Sequence, residues 1–224
     1  MNKALILLLK MTIAVSYSGF VFAHDSEDAV MSFFVTSRNI GNGADLGGLA
    51  GADAHCQSLA EAAGTGNRIW RAYLSTSTEN ARDRIGTGPW YNYWGQLIAT
   101  DLTDLHDNND NVMTWNSFSE SGGRIPGLED EENATHDMLT GSKSDGTLAL
   151  VQEGKAGIPE HTTGDPATCS AWTGGDGRAR VGHFDSQLGE EGTLWNSAHY
   201  TLGCSQDALE RNASVGLFYC FAAD

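Results

Sequence analysis

The sequence predicts a single α+β domain with few short strands, one N-terminal helix and long loops. Three observations carry that prediction. One long stretch, residues 49–63 (LAGADAHCQSLAEAA), repeats its apolar residues at helical spacing. Around it stand short β-prone runs separated by clusters of Gly, Asn, Asp and Ser. No Pro/Ser linker and no periodic repeat divides the 224 residues, so residues 29–224 read as one domain.

Residues 1–23 (MNKALILLLKMTIAVSYSGFVFA) read as an export signal peptide. Lys3 opens a short basic start, an apolar stretch follows, and Val21 and Ala23 place small residues before a cut. Lys10 interrupts the run, which disfavours a membrane anchor. No Cys stands at the cut, so lipid attachment there is not supported. A mature chain would begin at His24 with a short tail, residues 24–28. Losing Lys3 and Lys10 takes the formal charge from −16 to −18. No second long apolar run follows, so a secreted or periplasmic protein without a membrane span is expected. Such an acidic chain excludes nucleic acid as a partner, which requires a basic face.

The elements follow in order. Residues 31–36 (MSFFVT) form a first strand, and the Gly-rich residues 40–48 turn. In the helix, Ala52, Cys56, Leu59, Ala60 and Ala63 make one apolar stripe, and Gly64 stops it. Trp70, Ala72 and Leu74 then share one face of a second strand. Residues 90–100 give one or two short strands around Gly95, and residues 101–111 a polar, acidic loop. Residues 115–118, 148–152, 179–184 and 217–222 are further strands. Outside the cell, four cysteines favour disulfides, and Cys56, Cys169, Cys204 and Cys220 allow three pairings. A nested arrangement would tie the helix to the last strand.

Residues 51–56 (GADAHC), the stop at Gly64 and residues 71–75 (RAYLS) resemble the opening of the endostatin-like branch of the C-type-lectin-like fold. The Cys169–Trp172 segment (CSAW), Cys204 and residues 217–220 (LFYC) are similar to its later elements. The resemblance spans roughly residues 30–222 and implies the nested pairing, Cys56 with Cys220 and Cys169 with Cys204. The chain also resembles bacterial secreted proteins of this fold that carry the label lectin. It departs from calcium-dependent C-type lectins: Glu-Pro-Asn, Gln-Pro-Asp and Trp-Asn-Asp are absent, and Trp115-Asn116 and Trp195-Asn196 are each followed by Ser. The N-terminal histidines of the endostatin zinc site are not reproduced. Arg68, Arg71, Arg82 and Arg84 lie near one another, but the net charge argues against polyanions.

Asp107, Asn109 and Asp110 offer oxygens suited to Ca²⁺, although Val112 and Phe118 break the EF-hand pattern. Residues 129–132 (EDEE) read as a solvated acidic loop. Seven histidines are scattered, without HExxH. His55 reads as structural. His136 with Asp137, and His183 with Asp185, are candidate metal or acid–base pairs, against the commoner reading as hydrogen-bonded pairs. GxSxG is absent, and residues 141–144 (GSKS) lack Walker spacing. Trp90, Tyr91, Tyr93 and Trp94 cluster, and aromatic faces beside Asn suit sugar recognition, against the alternative that they fill the core. The candidate ligand set is Trp115, Asn116, Trp195, Asn196 and His199. The expected function is therefore an exported, non-catalytic, lectin-like protein that binds a carbohydrate or an extracellular protein surface. The alternatives are a secreted metal-dependent or hydrolytic enzyme using His136, Asp137, His183 or His199, and a structural envelope module.

Overall fold

The structure is a computed structural model that describes residues 30–107, 112–130, 134–152, 163–185 and 194–224. The expected export signal (residues 1–23), the expected tail (residues 24–28), Asn109, Asp110 and His161 lie outside the described residues. The order is β1 (Phe33–Val35), α1 (Gly48–Ala62), β2 (Trp70–Ala72), α2 (Ala81–Arg84), β3 (Trp90–Tyr91), β4 (Leu97–Ala99), α3 (Leu102–Asp107), β5 (Asp137–Leu139), α4 (Cys169–Trp172), β6 (Arg180–His183), β7 (His199–Tyr200), α5 (Gln206–Glu210) and β8 (Tyr219–Ala222). No helix among the described residues is long and apolar enough to cross a membrane.

The central sheet has the order β1-β8-β2, antiparallel throughout. Both of its faces are buried, which is why FFV and YCFA are nearly continuous apolar runs rather than alternating ones. Phe34, Cys220, Ala72 and Trp70 face one core, against the Ala52, Cys56, Leu59 and Ala60 stripe of α1. Phe33, Tyr73, Tyr219 and Phe221 face a second core with Trp90 and Trp195. The disulfides join Cys56 to Cys220 and Cys169 to Cys204, the pairing that the resemblance implies.

A second sheet pairs β3 with β4, and a third has the order β5-β6-β7. The third is joined to the core by a parallel bridge between Leu139 and Phe218, immediately before β8. Gly182, in the middle of β6, admits a close crossing: a Cβ there would collide with the Trp195 carbonyl.

Several expectations need correction. The chain has five helices among the described residues, not one. Four of them are one or two turns long, too short to show a helical period. The expected loop 101–111 opens with α3, whose N-terminus Asp101 caps by accepting from the Thr103 and Asp104 amides. Residues 115–118 and 148–152 make isolated bridges rather than strands. Helix α4 is a left-handed turn, with φ of 48°, 57°, 56° and 66° at Cys169, Ser170, Ala171 and Trp172. L-residues resist that conformation by about 1–2 kcal/mol each. The Cys169–Cys204 bond and the Trp172 indole, which donates to the Ser75 carbonyl at 2.9 Å, hold it.

Candidate metal centre

Strand alternation assembles the site. Asp137 stands opposite His183 in the β5–β6 ladder, and Val181 opposite His199 in the β6–β7 ladder. Residues two apart on a strand share a face, so Asp137, His183 and His199 project from the same side of the third sheet. His136, one residue before β5, folds back over that side, and its ring stacks on His183 at 4.2 Å between centroids.

The three imidazoles converge on one atom. The Nε2 atoms of His136, His183 and His199 lie 3.2, 3.0 and 3.3 Å from Asp137 Oδ1. The Asp137 side chain is fully buried, whereas that of His199 is 41% exposed on the edge strand. The donor atoms of His136, Asp137 and His183 lie within 4.8 Å of one another. His199 meets this trio at the shared oxygen, from the solvent side.

The convergence leaves two of its atoms without a well-aimed hydrogen bond. Asp137 Oδ1 and His183 Nε2 are both buried without a hydrogen-bond partner, although they lie 3.0 Å apart. Their lone pairs and N–H vectors are not aimed at each other. Orphaning such groups in a dry site costs about 1–3 kcal/mol each, more when charged. A cation between them removes that cost. Donors bound at about 2.0–2.1 Å in a tetrahedron stand about 3.3 Å apart, close to the spacing found here. Imidazole nitrogen with one carboxylate suits Zn²⁺, Cu²⁺ or Ni²⁺, whereas Ca²⁺ takes oxygen alone.

A supporting shell orients the donors, as metal ligands require. His136 Nδ1 lies 3.1 Å from Asp185 Oδ1, and Asp185 is itself fixed by the Leu128 amide at 2.8 Å. Asn212 Nδ2 donates to Asp137 Oδ2 at 2.6 Å, leaving Oδ1 for the imidazoles. Ser214 Oγ donates to the Asp137 main-chain carbonyl. The His199 Nδ1 lies 3.2 Å from the Tyr200 carbonyl.

Burial alone would raise the Asp137 carboxyl pKa, but the adjacent His183 and His199 rings outweigh it and hold it below the usual range. Burial likewise opposes protonation of His199, and the Asp137 carboxylate more than reverses this, raising the imidazole. For Asp185, burial is outweighed by His136 and by the Leu128 amide.

The expected sugar-binding set does not come together. Trp195 and Asn196 are fully buried. Trp195 packs on Tyr73 and Tyr219, and Asn196 donates to the Tyr73 hydroxyl and to the Ser144 carbonyl. Asn116 is buried, and its Oδ1 accepts from the Met113 amide. Trp115 is exposed, and His199 belongs to the metal candidate instead. Of the calcium candidates, Asp107 closes α3, an exposed position. His55 bonds the Arg38 carbonyl and His106 the Tyr73 hydroxyl, both structural roles.

Sequence reasoning singled out all four converging residues but not their convergence, which depends on strand register. Asn212 and Ser214, which hold Asp137, carried no sequence signal that tied them to this site. Among the described residues, the hydroxyl bonded to this group is that of Ser214, buried against main chain and unsuited to attack a substrate. No family model matches the chain, and no curated protein matches it.

Proposed function

We propose that the protein is an exported binding module of the C-type-lectin-like kind, built around one transition-metal ion, zinc by preference. His136, Asp137 and His183 form the ligand core and His199 completes it. The observation that carries this reading is the meeting of three imidazole Nε2 atoms at one buried carboxylate oxygen, with two of those atoms lacking hydrogen bonds. His136, Asp137 and His183 supply three donors within 4.8 Å of one another, and His199 approaches the shared oxygen at 3.3 Å from the solvent side. Two disulfides support an oxidising compartment, in keeping with the export signal.

The test is metal analysis and calorimetric titration of the purified protein with zinc chloride near neutral pH. One equivalent of zinc should bind, and His183→Ala should abolish binding. At a zinc concentration of about 100 times Kd, linkage adds about 2.7 kcal/mol of stability. A wild-type protein that takes up no zinc, copper or nickel, or a His183→Ala variant that binds like wild type, overturns the reading.

A second reading has its own observation. Trp94 and Trp115 are 63% and 58% exposed, and the Trp94 indole is set against Tyr93 and Phe118. Exposed rings of this kind suit a glycan face. A glycan array probed with Trp94→Ala and Trp115→Ala variants tests it. Silence of the wild-type protein on the array, or signals that both variants retain, removes it.

A further inference from the structure

The opposite face of the third sheet carries a different feature. Arg180 and Tyr200 are register partners, and alternation points them away from the histidines. They line a half-open cleft of about 680 Å³, together with Lys143, Ser197, Leu150 and Val151. Among the described residues, none that lines this cleft is acidic, although the chain has 29 Asp and Glu against 13 Lys and Arg. Neither Lys143 nor Arg180 has a carboxylate within 4 Å among the described residues. The nearest acidic neighbour of Lys143 in the chain, Asp145, accepts from the Thr147 amide and hydroxyl and feels the charges of both Lys143 and Arg82, with no carboxylate contact to Lys143 within 4 Å. By contrast, a cleft of about 710 Å³ against α1 has its cations paired, Arg71 and Arg84 both to Asp53.

The Arg180 guanidinium is held in place before any ligand arrives. Its Nε donates to Ser197 Oγ at 3.1 Å and its Nη2 to the Ser197 carbonyl at 3.2 Å. One face of the guanidinium lies over the Tyr200 ring at 4.7 Å, and the Tyr200 hydroxyl is anchored to the Leu150 carbonyl at 2.7 Å. Of the five N–H donors that a guanidinium carries, Ser197 takes two. A half-buried, preorganised cation with no counter-ion among the described residues is costly to keep unless something anionic repays it. The planar fork matches a carboxylate, Lys143 adds a second positive charge, and Leu150 and Val151 supply an apolar wall. The volume lies within the range of small-molecule sites.

We propose that this cleft binds a small carboxylate, with Arg180 as the fork that orients it and Lys143 as the steering charge. The carboxylate can come on an apolar acid or on an acidic sugar, and two probes distinguish these sources. The experiment is titration of the zinc-loaded protein with hexanoate, with galacturonate and with hexanol. Saturable binding of at least one of the two carboxylates, with none of hexanol, is expected. Arg180→Lys should weaken that binding at least tenfold, and Lys143→Ala several-fold, both variants keeping the wild-type zinc stoichiometry and melting profile. Lys143 is exposed, so its replacement leaves folding intact even if Arg180→Lys perturbs it. Failure of both carboxylates to bind, equal binding of hexanol, or unchanged affinity in Lys143→Ala overturns the proposal. Loss of zinc uptake with retained carboxylate binding would count against the metal centre alone.

Discussion

Asp53 shows what the third residue of the GAD triplet does. Its Oδ1 accepts from the Ala72 amide at 2.9 Å and from Arg84 Nη1 at 3.0 Å, and its Oδ2 from Arg84 Nη2 at 2.8 Å and Arg71 Nη1 at 2.7 Å. Arg84 is buried and would keep only the partly exposed Glu79 carboxylate at 3.3 Å, so Asp53→Ala should cost about 3 kcal/mol in urea unfolding. Arg71 is half exposed, and Arg71→Ala should cost under about 1 kcal/mol. The triplet and the RAYLS run were legible in the sequence; the arginine that locks them together was not, because Arg84 stands on a helix of four residues. At the metal candidate, protons and metal compete for the same nitrogens. His199 is raised, so its pairing with Asp137 stabilises the metal-free protein fully below the ordinary histidine range and is lost as pH rises through the raised value. Asp137 is lowered, so its share is present above the ordinary carboxylate range and fades as pH falls through the lowered value. The zinc-induced rise in Tm should therefore grow as pH rises through the raised His199 value, above the ordinary histidine range. Calorimetric scans with and without zinc across that range test it. His199→Ala should keep weak zinc binding, since the trio survives, whereas Asp137→Asn should lose it.

Among the elements, long periodic patterns were readable and short ones were not. Helix α1 buries Ala52, Cys56, Leu59 and Ala60 as its stripe requires, and Gly64, at φ 83°, follows its end. Trp70, Ala72 and Leu74 share one core as alternation requires. Gly95, at φ 73°, turns β3 into β4. Helix α3 escaped because six polar-rich residues show no stripe, although Asp101 before Leu102 is a capping signal. The third sheet was half legible: residues 179–184 announced β6, whereas β5 and β7 have only three and two residues. Its tightest point is Gly182, where the chain at Trp195 and Asn196 crosses. Gly182→Ala should cost about 1–3 kcal/mol by forcing that crossing apart. A lowered urea midpoint at unchanged slope, with weakened zinc uptake from the adjacent His183, is the expected readout.

For the molecule as a whole, one crosslink ties α1 to the middle strand of the central sheet and the other holds the left-handed turn at Cys169 to Cys204. Cys56–Cys220 and Cys169–Cys204 close separations of 164 and 35 residues. The chain-entropy account gives upper values of about 5 and 4 kcal/mol for such loops. Replacing Cys56 and Cys220 together by Ala should cost about 2–5 kcal/mol, read as a drop in Tm of the purified variant. The even cysteine count made disulfides legible, and the resemblance chose among the three pairings. The meeting of His136, His183 and His199 was not legible, since segments distant in sequence become neighbours only once the ladder register is set.

Strand β8 occupies the middle of the central sheet, between β1 and β2, yet it is the last element of the sequence. Its absence would leave β1 and β2 without a partner in the central sheet, both cores open and Cys56 without its mate. Assembly of that sheet therefore waits on residues 219–222: until they lie between residues 33–35 and 70–72, neither flanking strand has a ladder to join.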